Sequence, residues 1–194
     1  PTRRRRQRQM CIRDSNNVNR IEYITIASTG DVTDFGDLLT GRFDHAGFAS
    51  PTRTFFAAGK NTPASPDTQI NIEFVTIATT GNGTVFGDMT VATRGPTGAS
   101  SNTRGLMAAN AQGGGNSIEF ITMATTGNGT DFGDMTLVRQ VTSGAGSKTR
   151  GLMAGGQVPS GPNTNAINYV TIQSIGNAAD FGDLSVSRRA AGGC

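Results

Sequence analysis

The hydrophobic residues of this chain come in short runs that are separated by turns rich in glycine, asparagine and serine. The run at residues 21–27 is typical, because it is rich in isoleucine, tyrosine and threonine, which favour strands. Strict alternation is absent: in residues 72–77 apolar side chains fall on both faces, so both faces must be covered. The pattern predicts an all-β protein made of small sheets that pack face to face.

Each run leads into a turn and a returning strand. Thr-Gly-Asn-Gly stands at residues 80–83 and again at 126–129, and because both asparagine and glycine tolerate positive φ, we expect β-hairpins there. The returning strands are expected to include residues 85–91 and 131–138. A further glycine- and serine-rich turn then leads to a strand that begins Thr-Arg.

Four segments of the chain align without gaps, so the chain is a repeat. Each segment begins with an isoleucine and reaches the phenylalanine of a Phe-Gly-Asp triplet 14 positions later. A further 18 positions lead from that phenylalanine to the arginine of the next Thr-Arg pair. The repeats occupy residues 16–194, with units starting near Ile21, Ile72, Ile118 and Ile167.

Only one connection of the repeat changes length: the arginine of the Thr-Arg pair precedes the next isoleucine by 19, 14 and 17 positions. A unit with one variable loop has a rigid scaffold and one adjustable edge, and such loops often carry binding. We therefore predict a ligand-binding surface in the loops 60–71, 111–117 and 157–166. The candidate binding residues are Lys60, Asn61, Asp67, Gln69, Asn110, Gln112, Asn116, Gln157, Asn163 and Asn165.

The order of these elements resembles the kelch repeat. Gly155-Gly156 stands where kelch repeats have a double glycine, although the other copies read Ala58-Gly59 and Ala109-Asn110. The kelch tyrosine corresponds to Tyr23, Phe74, Phe120 and Tyr169, and the kelch tryptophan to Phe35, Phe86, Phe132 and Phe181. The resemblance implies a β-propeller with about four strands per blade. The chain would then supply about four blades of a larger or truncated propeller.

The Thr-Gly-Asn-x-Thr-Asp-Phe-Gly-Asp sequence at residues 126–134 is similar to repeats in virion structural and tail-fibre-like proteins of marine bacteriophages. This resemblance implies a non-enzymatic component of a phage virion that contacts a carbohydrate or protein on the host surface. The alternative is a cellular scaffold of the kelch type for protein–protein interaction.

The overall charge of +3 hides two different regions. Residues 1–15 hold six arginines and one aspartate, whereas the rest of the chain is slightly acidic. We interpret residues 1–15 as adaptor-derived sequence or a disordered tail, so no nucleic-acid partner is expected. The chain has no apolar run near the roughly 20 residues that span a bilayer, so we expect no membrane insertion.

The remaining periodic residues are interpreted as structural. Arg53, Arg104 and Arg150 recur in register with the Phe-Gly-Asp aspartates, which indicates either ion pairs or arginine–carbonyl bonds within or between blades. Phe35, Phe86, Phe132 and Phe181 are expected in the cores between blades. Because blades cannot bury both faces alone, we also expect self-association.

Little in the sequence points to catalysis. Asp-Phe-Gly recurs in register without a kinase catalytic loop, so it is assigned to a strand. His45 is the only histidine, and Cys11 and Cys194 lie outside the repeats, so neither a transition-metal site nor a catalytic triad is expected. We predict a protein without cofactor or enzymatic activity.

Overall fold

The computed structural model describes residues 8–9, 18–62, 67–110 and 115–191, with the side chains of residues 8–9 and 109–110 left out. These residues form strands, turns and bends, so the predicted all-β class is confirmed. Within the same ranges, no helix is long and apolar enough to cross a membrane. Cys11, Gln112 and Cys194 lie outside the described residues.

The strands form four antiparallel sheets in chain order, and within each sheet every strand pairs with its neighbours in sequence. Sheet 1 contains β1 (Arg8–Gln9), β2 (Arg20–Thr25) and β3 (Thr33–Asp37). Sheet 2 contains β4 (Ala46–Ala49), β5 (Arg53–Ala57), β6 (Gln69–Thr76) and β7 (Thr84–Thr93). Sheet 3 contains β8 (Thr97–Ser100), β9 (Arg104–Asn110), β10 (Gly115–Thr122) and β11 (Thr130–Asp134). Sheet 4 contains β12 (Ser143–Gly146), β13 (Arg150–Ala154), β14 (Ala166–Thr171) and β15 (Ala179–Asp183).

This meander places its connections alternately at two ends of the sheets. One end, here called the loop end, carries the variable connections 58–68 and 155–165 together with the linkers between sheets. Backbone pairing between Phe43 and Lys60 joins a linker to a variable loop at this end. The opposite end, here called the turn end, carries the Asn-Gly segments and the short turns before β5, β9 and β13.

The first strand of each four-stranded sheet was not foreseen, because sequence analysis assigned these residues to a turn. Strands β4, β8 and β12 are rich in glycine and alanine, which have weak strand propensity. Their backbones lie close together: a Cβ on Gly98 would come within 2.5 Å of the Gly47 carbonyl oxygen. Glycine is needed at this strand because the neighbouring sheet leaves no room for a side chain.

Apolar cores lie between successive sheets. Phe35 of sheet 1 packs in one cluster with Phe56 and Val75 of sheet 2. The equivalent Phe86 and Phe132 occupy the same position in the clusters between sheets 2 and 3 and between sheets 3 and 4. Phe181 differs, because no described sheet lies beyond sheet 4 and its side chain is largely exposed.

The Asn-Gly segments join neighbouring sheets and do not close hairpins. The hairpin of β6 and β7 is confirmed, but its tight turn lies earlier, where Thr79 N–H donates to the Thr76 carbonyl. Gly81 and Gly83 donate their N–H groups to the carbonyls of Phe35 and Asp37 in sheet 1, at 2.8 and 2.7 Å. The Asn82 side chain accepts the Asp37 N–H at 3.0 Å. Asn128 accepts the Asp88 N–H between sheets 2 and 3, and Asn177 accepts the Asp134 N–H between sheets 3 and 4.

The predicted amino-terminal tail is described only at β1. Arg8 and Gln9 pair with Thr25 and Ile24 of β2, so these two residues form an edge strand of sheet 1. The rest of residues 1–15 lies outside the described residues.

Candidate functional site

The linkers at the loop end form a hydrogen-bonded arc. Asp44, Gly95, Val141 and Ala190 stand at the same position of the four units, and all have positive φ, between 50° and 64°. Gly95 N–H donates to the Asp44 carbonyl, Val141 N–H to Gly95, and Ala190 N–H to Val141, at 2.8 to 3.1 Å. Left-handed backbone is costly outside glycine and persists only where the surroundings impose it. The arc is therefore a rigid part of the fold.

A cavity of about 200 Å³ lies beside this arc. Pockets that enclose a whole small ligand usually have volumes of about 300–1,000 Å³. The cavity can therefore hold one polar group or one ring of a larger ligand. Its lining residues include Asp44, His45, Pro96, Val141 and Thr142.

His45 is the titratable ring in this cavity. Burial, with a smaller contribution from the nearby positive charge of Arg42, lowers its pKa to about 4. Its ring lies 5.6 Å from that of Phe56, and its buried Nδ1 has no hydrogen-bond partner in the described part of the chain. A general base is most effective with a pKa near the working pH, so His45 is a weak candidate for catalysis at neutral pH.

We expect the folded protein to lose stability as the pH falls from about 6.5 towards 4. In this window the unfolded chain binds a proton at His45 that the folded chain does not bind. Because His45 is the only histidine, its ring protons can be followed by NMR, with an expected midpoint near pH 4. The variant His45→Asn should show a flatter decline over the same window, and a wild-type midpoint near 6.5 would contradict the assignment.

No cluster of three or more potential metal ligands occurs among the described residues. Arg42 and Glu73 form a buried ion pair that joins sheets 1 and 2. Arg42 also donates to the carbonyls of Ala58 and Asn71 at 3.1 and 3.0 Å, while Glu73 accepts the Leu39 N–H at 2.7 Å. Burial lowers the pKa of Arg42, and the Glu73 carboxylate opposes that effect.

The positions of Arg42 and Glu73 hold a different pair of residues at each of the other two junctions between sheets. Between sheets 2 and 3, the buried Glu119 carboxylate is held by the N–H and hydroxyl of Thr90, at 2.9 and 2.8 Å. Between sheets 3 and 4, the buried Arg139 meets a neutral side chain, Asn168, at 2.8 Å and also donates to three carbonyls. Sequence analysis missed these residues, although the recurring Ile-Glu pair was a signal for the acids.

The periodic arginines make carbonyl bonds between sheets. Arg53 donates to the Met123 carbonyl at 3.0 Å, and Arg104 donates to the Ile172 carbonyl at 3.1 Å. Each guanidinium, including that of the exposed Arg150, lies 4.5 to 4.8 Å from the centre of an aromatic ring of its own sheet. The ion-pair alternative is wrong, because the Phe-Gly-Asp aspartates take no part in the ion pairs seen among described residues.

Several predicted binding residues lie at the loop end and make ion pairs or hydrogen bonds within their own loops. Lys60 and Asp67 form an ion pair at 2.9 Å, and Asn61 N–H donates to the Asp67 carbonyl. Gln157 donates to the Gly161 carbonyl at 3.2 Å and accepts a hydrogen bond from Arg189. Asn163 follows in the same loop and is exposed.

The remaining predicted binding residues are placed differently. Asn116 is half-buried, and its side chain donates to the Met135 carbonyl at 2.8 Å, which links β10 to the segment after β11. Asn165 is half-buried, and its carbonyl accepts the Leu184 N–H. Gln69 lies in β6 opposite Thr93, and Asn110 ends β9.

Comparisons with known proteins give a fold and no family. No family model and no curated protein matches the chain. Solved structures do match, among them one titled "Structure of YjhT", with a TM-score of 0.71 at 7% sequence identity. The match covers 88% of this chain and 61% of that chain, so this chain spans about three fifths of its length. An all-β chain of successive antiparallel sheets with this likeness is consistent with a β-propeller-like fold.

Proposed function

We propose that the chain is a non-enzymatic binding module, a kelch-like segment of about four blades whose ligand surface is the loop end. The observation that carries the proposal is the position of the two longer variable loops. Both leave the sheets at the end where the linkers form the arc and the cavity. The described parts of these two loops are thus presented at the same end as the arc.

The described part of this end carries exposed charges of both signs, Asp44, Arg94 and Arg189, among amide groups, which favours a polar ligand. Lys60 and Asp67 neutralise each other, and His45 is uncharged at neutral pH because its pKa is about 4. Exposed amide groups such as that of Asn163 can donate and accept hydrogen bonds. Sugar hydroxyl groups have the same two capacities, so a carbohydrate fits this surface.

The resemblance of the Asp-Phe-Gly-Asp repeats to those of marine phage virion proteins supports a particular setting. In the proposal, the chain belongs to a virion or tail-fibre-like component, and the carbohydrate is a glycan on the host surface. A protein ligand, as for a cellular kelch-type scaffold, is the competing outcome of the test below.

The test compares two exposed asparagines at opposite ends of the sheets. Asn163 lies in a variable loop at the loop end, and Asn102 lies in the turn before β9 at the turn end. We expect binding to an array of bacterial surface glycans to fall at least tenfold in Asn163→Ala and in a chain whose residues 157–165 are replaced by Gly-Ser. Asn102→Ala should bind as the wild type does.

Two results would count against the proposal. Binding that is lost in Asn102→Ala but unchanged by the loop replacement would move the site to the turn end. Binding to host proteins without binding to any glycan would favour the scaffold alternative. Far-UV circular dichroism and thermal melting of each variant would separate lost binding from lost folding.

A further inference from the structure

The two ends of the described row of sheets expose apolar side chains whose equivalents are mostly buried at the internal junctions. The tail face is defined by Arg150, Phe181, Asp183, Leu184 and Arg188 of sheet 4 and the segment that follows it. Phe181 is 52% exposed, whereas its equivalents Phe35, Phe86 and Phe132 are at most 3% exposed. Leu184 is half-buried, whereas Leu38, Met89 and Met135 at the same position are buried.

The opposite end offers the matching half of the same junction. The head face is defined by Glu22, Ile24, Ile26 and residues 30–32 of sheet 1. Ile24 is 36% exposed, and its equivalents Val75, Ile121 and Val170 are at most 3% exposed. Ile26 is 52% exposed, whereas at its position Met123 and Ile172 are buried and Ile77 is half-buried. These equivalents are the residues on which the phenylalanine of the preceding sheet packs.

Backbone groups at the two faces are complementary in the same way. At three junctions, the aspartate of Phe-Gly-Asp donates its N–H to the asparagine of the next turn. Asp183 is the fourth such aspartate, and Asp31 stands in the first unit where Asn82 stands in the second. A carboxylate accepts an N–H as an amide oxygen does, so Asp31 can take the role of Asn82.

Two arginines of the tail face also have matching groups on the head face. Arg150 is the equivalent of Arg104, whose partner is the Ile172 carbonyl, and the same carbonyl of sheet 1 belongs to Ile26. Arg188 is the equivalent of Arg42, and Glu22 is the equivalent of Glu73. Arg188 already has the bond from its Nε to the carbonyl two residues earlier that Arg42 has.

One residue of the head face departs from the internal pattern. Val32 stands where the other units have Gly83, Gly129 and Ala178. A Cβ on Gly83 would lie 2.8 Å from the Glu73 carboxylate, so a valine displaces that carboxylate from its internal position. Glu22 lies 3.9 Å from Arg20 instead, and an ion pair with Arg188 requires a side-chain position different from that of Glu73.

We propose that the tail face of one copy of this chain binds the head face of a second copy, and that this contact repeats the internal junction between sheets. The second copy is the indicated occupant because the interface is a continuation of one that the molecule already forms three times. The association is head-to-tail, so an open assembly keeps one unused head face at one end and one unused tail face at the other. It does not depend on the ligand proposed for the loop end.

The test uses one charged substitution on each face and one control. Ile26→Lys blocks the head face, and Phe181→Lys blocks the tail face; both side chains are 52% exposed in the single chain. The control is Val85→Lys, because Val85 is 57% exposed away from both faces and aspartate occupies its position in the other units. Sedimentation velocity and light scattering over a range of protein concentrations give the masses.

We expect the mass of the wild type and of Val85→Lys to rise with concentration. Ile26→Lys and Phe181→Lys should each remain at the monomer mass of 20.1 kDa to at least tenfold higher concentration. An equimolar mixture of these two variants should form a 1:1 dimer, because each supplies the face that the other lacks. Equal circular dichroism spectra would show that both variants are folded.

Three results would overturn the proposal. The first is a wild type that stays monomeric at all concentrations. The second is a mixture of the two blocked variants that does not pair. The third is loss of association in Val85→Lys, which would indicate non-specific contact of exposed apolar side chains.

Discussion

Replacing Gly133 by alanine should destabilise the fold by about 2–3 kcal/mol more than the same change at Gly182. Both glycines are the middle residue of a Phe-Gly-Asp triplet, and their φ angles are nearly the same, 141° and 137°. An added Cβ at Gly133 would lie 2.6 Å from the carbonyl carbon and oxygen of Gly176 in sheet 4. At Gly182, it would meet nothing within 4 Å.

The comparison separates backbone strain from steric overlap. Both variants should lose ~1–2 kcal/mol because alanine is strained at this φ, and Gly133→Ala should lose about 2–3 kcal/mol more through overpacking. Chemical denaturation at a protein concentration low enough to keep the chain monomeric measures both losses. Equal losses would show that the turn of the next sheet does not need the close approach.

Replacing Arg42 by methionine should destabilise the chain by about 3–5 kcal/mol, because the Glu73 carboxylate would remain buried without its cation. Arg188→Met is the matched control, because Arg188 occupies the same position after sheet 4 but is exposed. We expect the control to lose less than ~0.5 kcal/mol. The free energy of unfolding of each variant, from denaturant titration, gives the comparison.

The double variant Arg42→Met with Glu73→Met tests the cause of that loss. Removing both charges removes the unpaired carboxylate, so the double variant should be more stable than Arg42→Met alone. If the double variant is less stable than Arg42→Met alone, the Glu73 side chain contributes on its own, through the bond that it accepts from the Leu39 N–H.

The sequence was sufficient for the strand content, the period and the aromatic cores, because these depend on local propensity and on spacing. The run at residues 72–77 showed apolar residues on both faces, and in the structure sheets lie on both sides of it. Phe86 and Phe132 were placed in the cores between sheets for the same reason. Phe181 has the same spacing but lacks a neighbouring sheet.

Contacts between sheets were the part that the sequence did not reveal. The strands β8 and β12 were interpreted as turns because they contain glycine. In the structure, glycine is needed there because the strand of the neighbouring sheet leaves no room for a Cβ, and not because the local backbone turns. Asn82 looked like a hairpin residue, yet its side chain bonds Asp37, which lies 45 residues earlier. Arg42 recurs as Arg139 and Arg188, but threonine stands at this position in the second unit, and the sequence does not show which group each arginine meets.

At the candidate site, the variable loops were found from length differences alone, but the arc beside them was not. Its positive φ angles occur at Asp44, Gly95, Val141 and Ala190, four residue types with no shared chemistry. What the four positions share is the series of backbone bonds between successive linkers. The side-chain pattern of the sequence therefore did not reveal the positive φ angles of the arc.

The sequence unit and the sheet are out of phase. The stretch from Ile72 to the residue before Ile118 supplies the last two strands of sheet 2 and the first two of sheet 3. A gene duplication that copies one such stretch therefore adds a complete sheet whose strands are shared with the older units on either side. Each newly copied unit contributes strands to two successive sheets. An array of this kind can therefore lengthen in evolution without gaining a unit that folds separately from its neighbours.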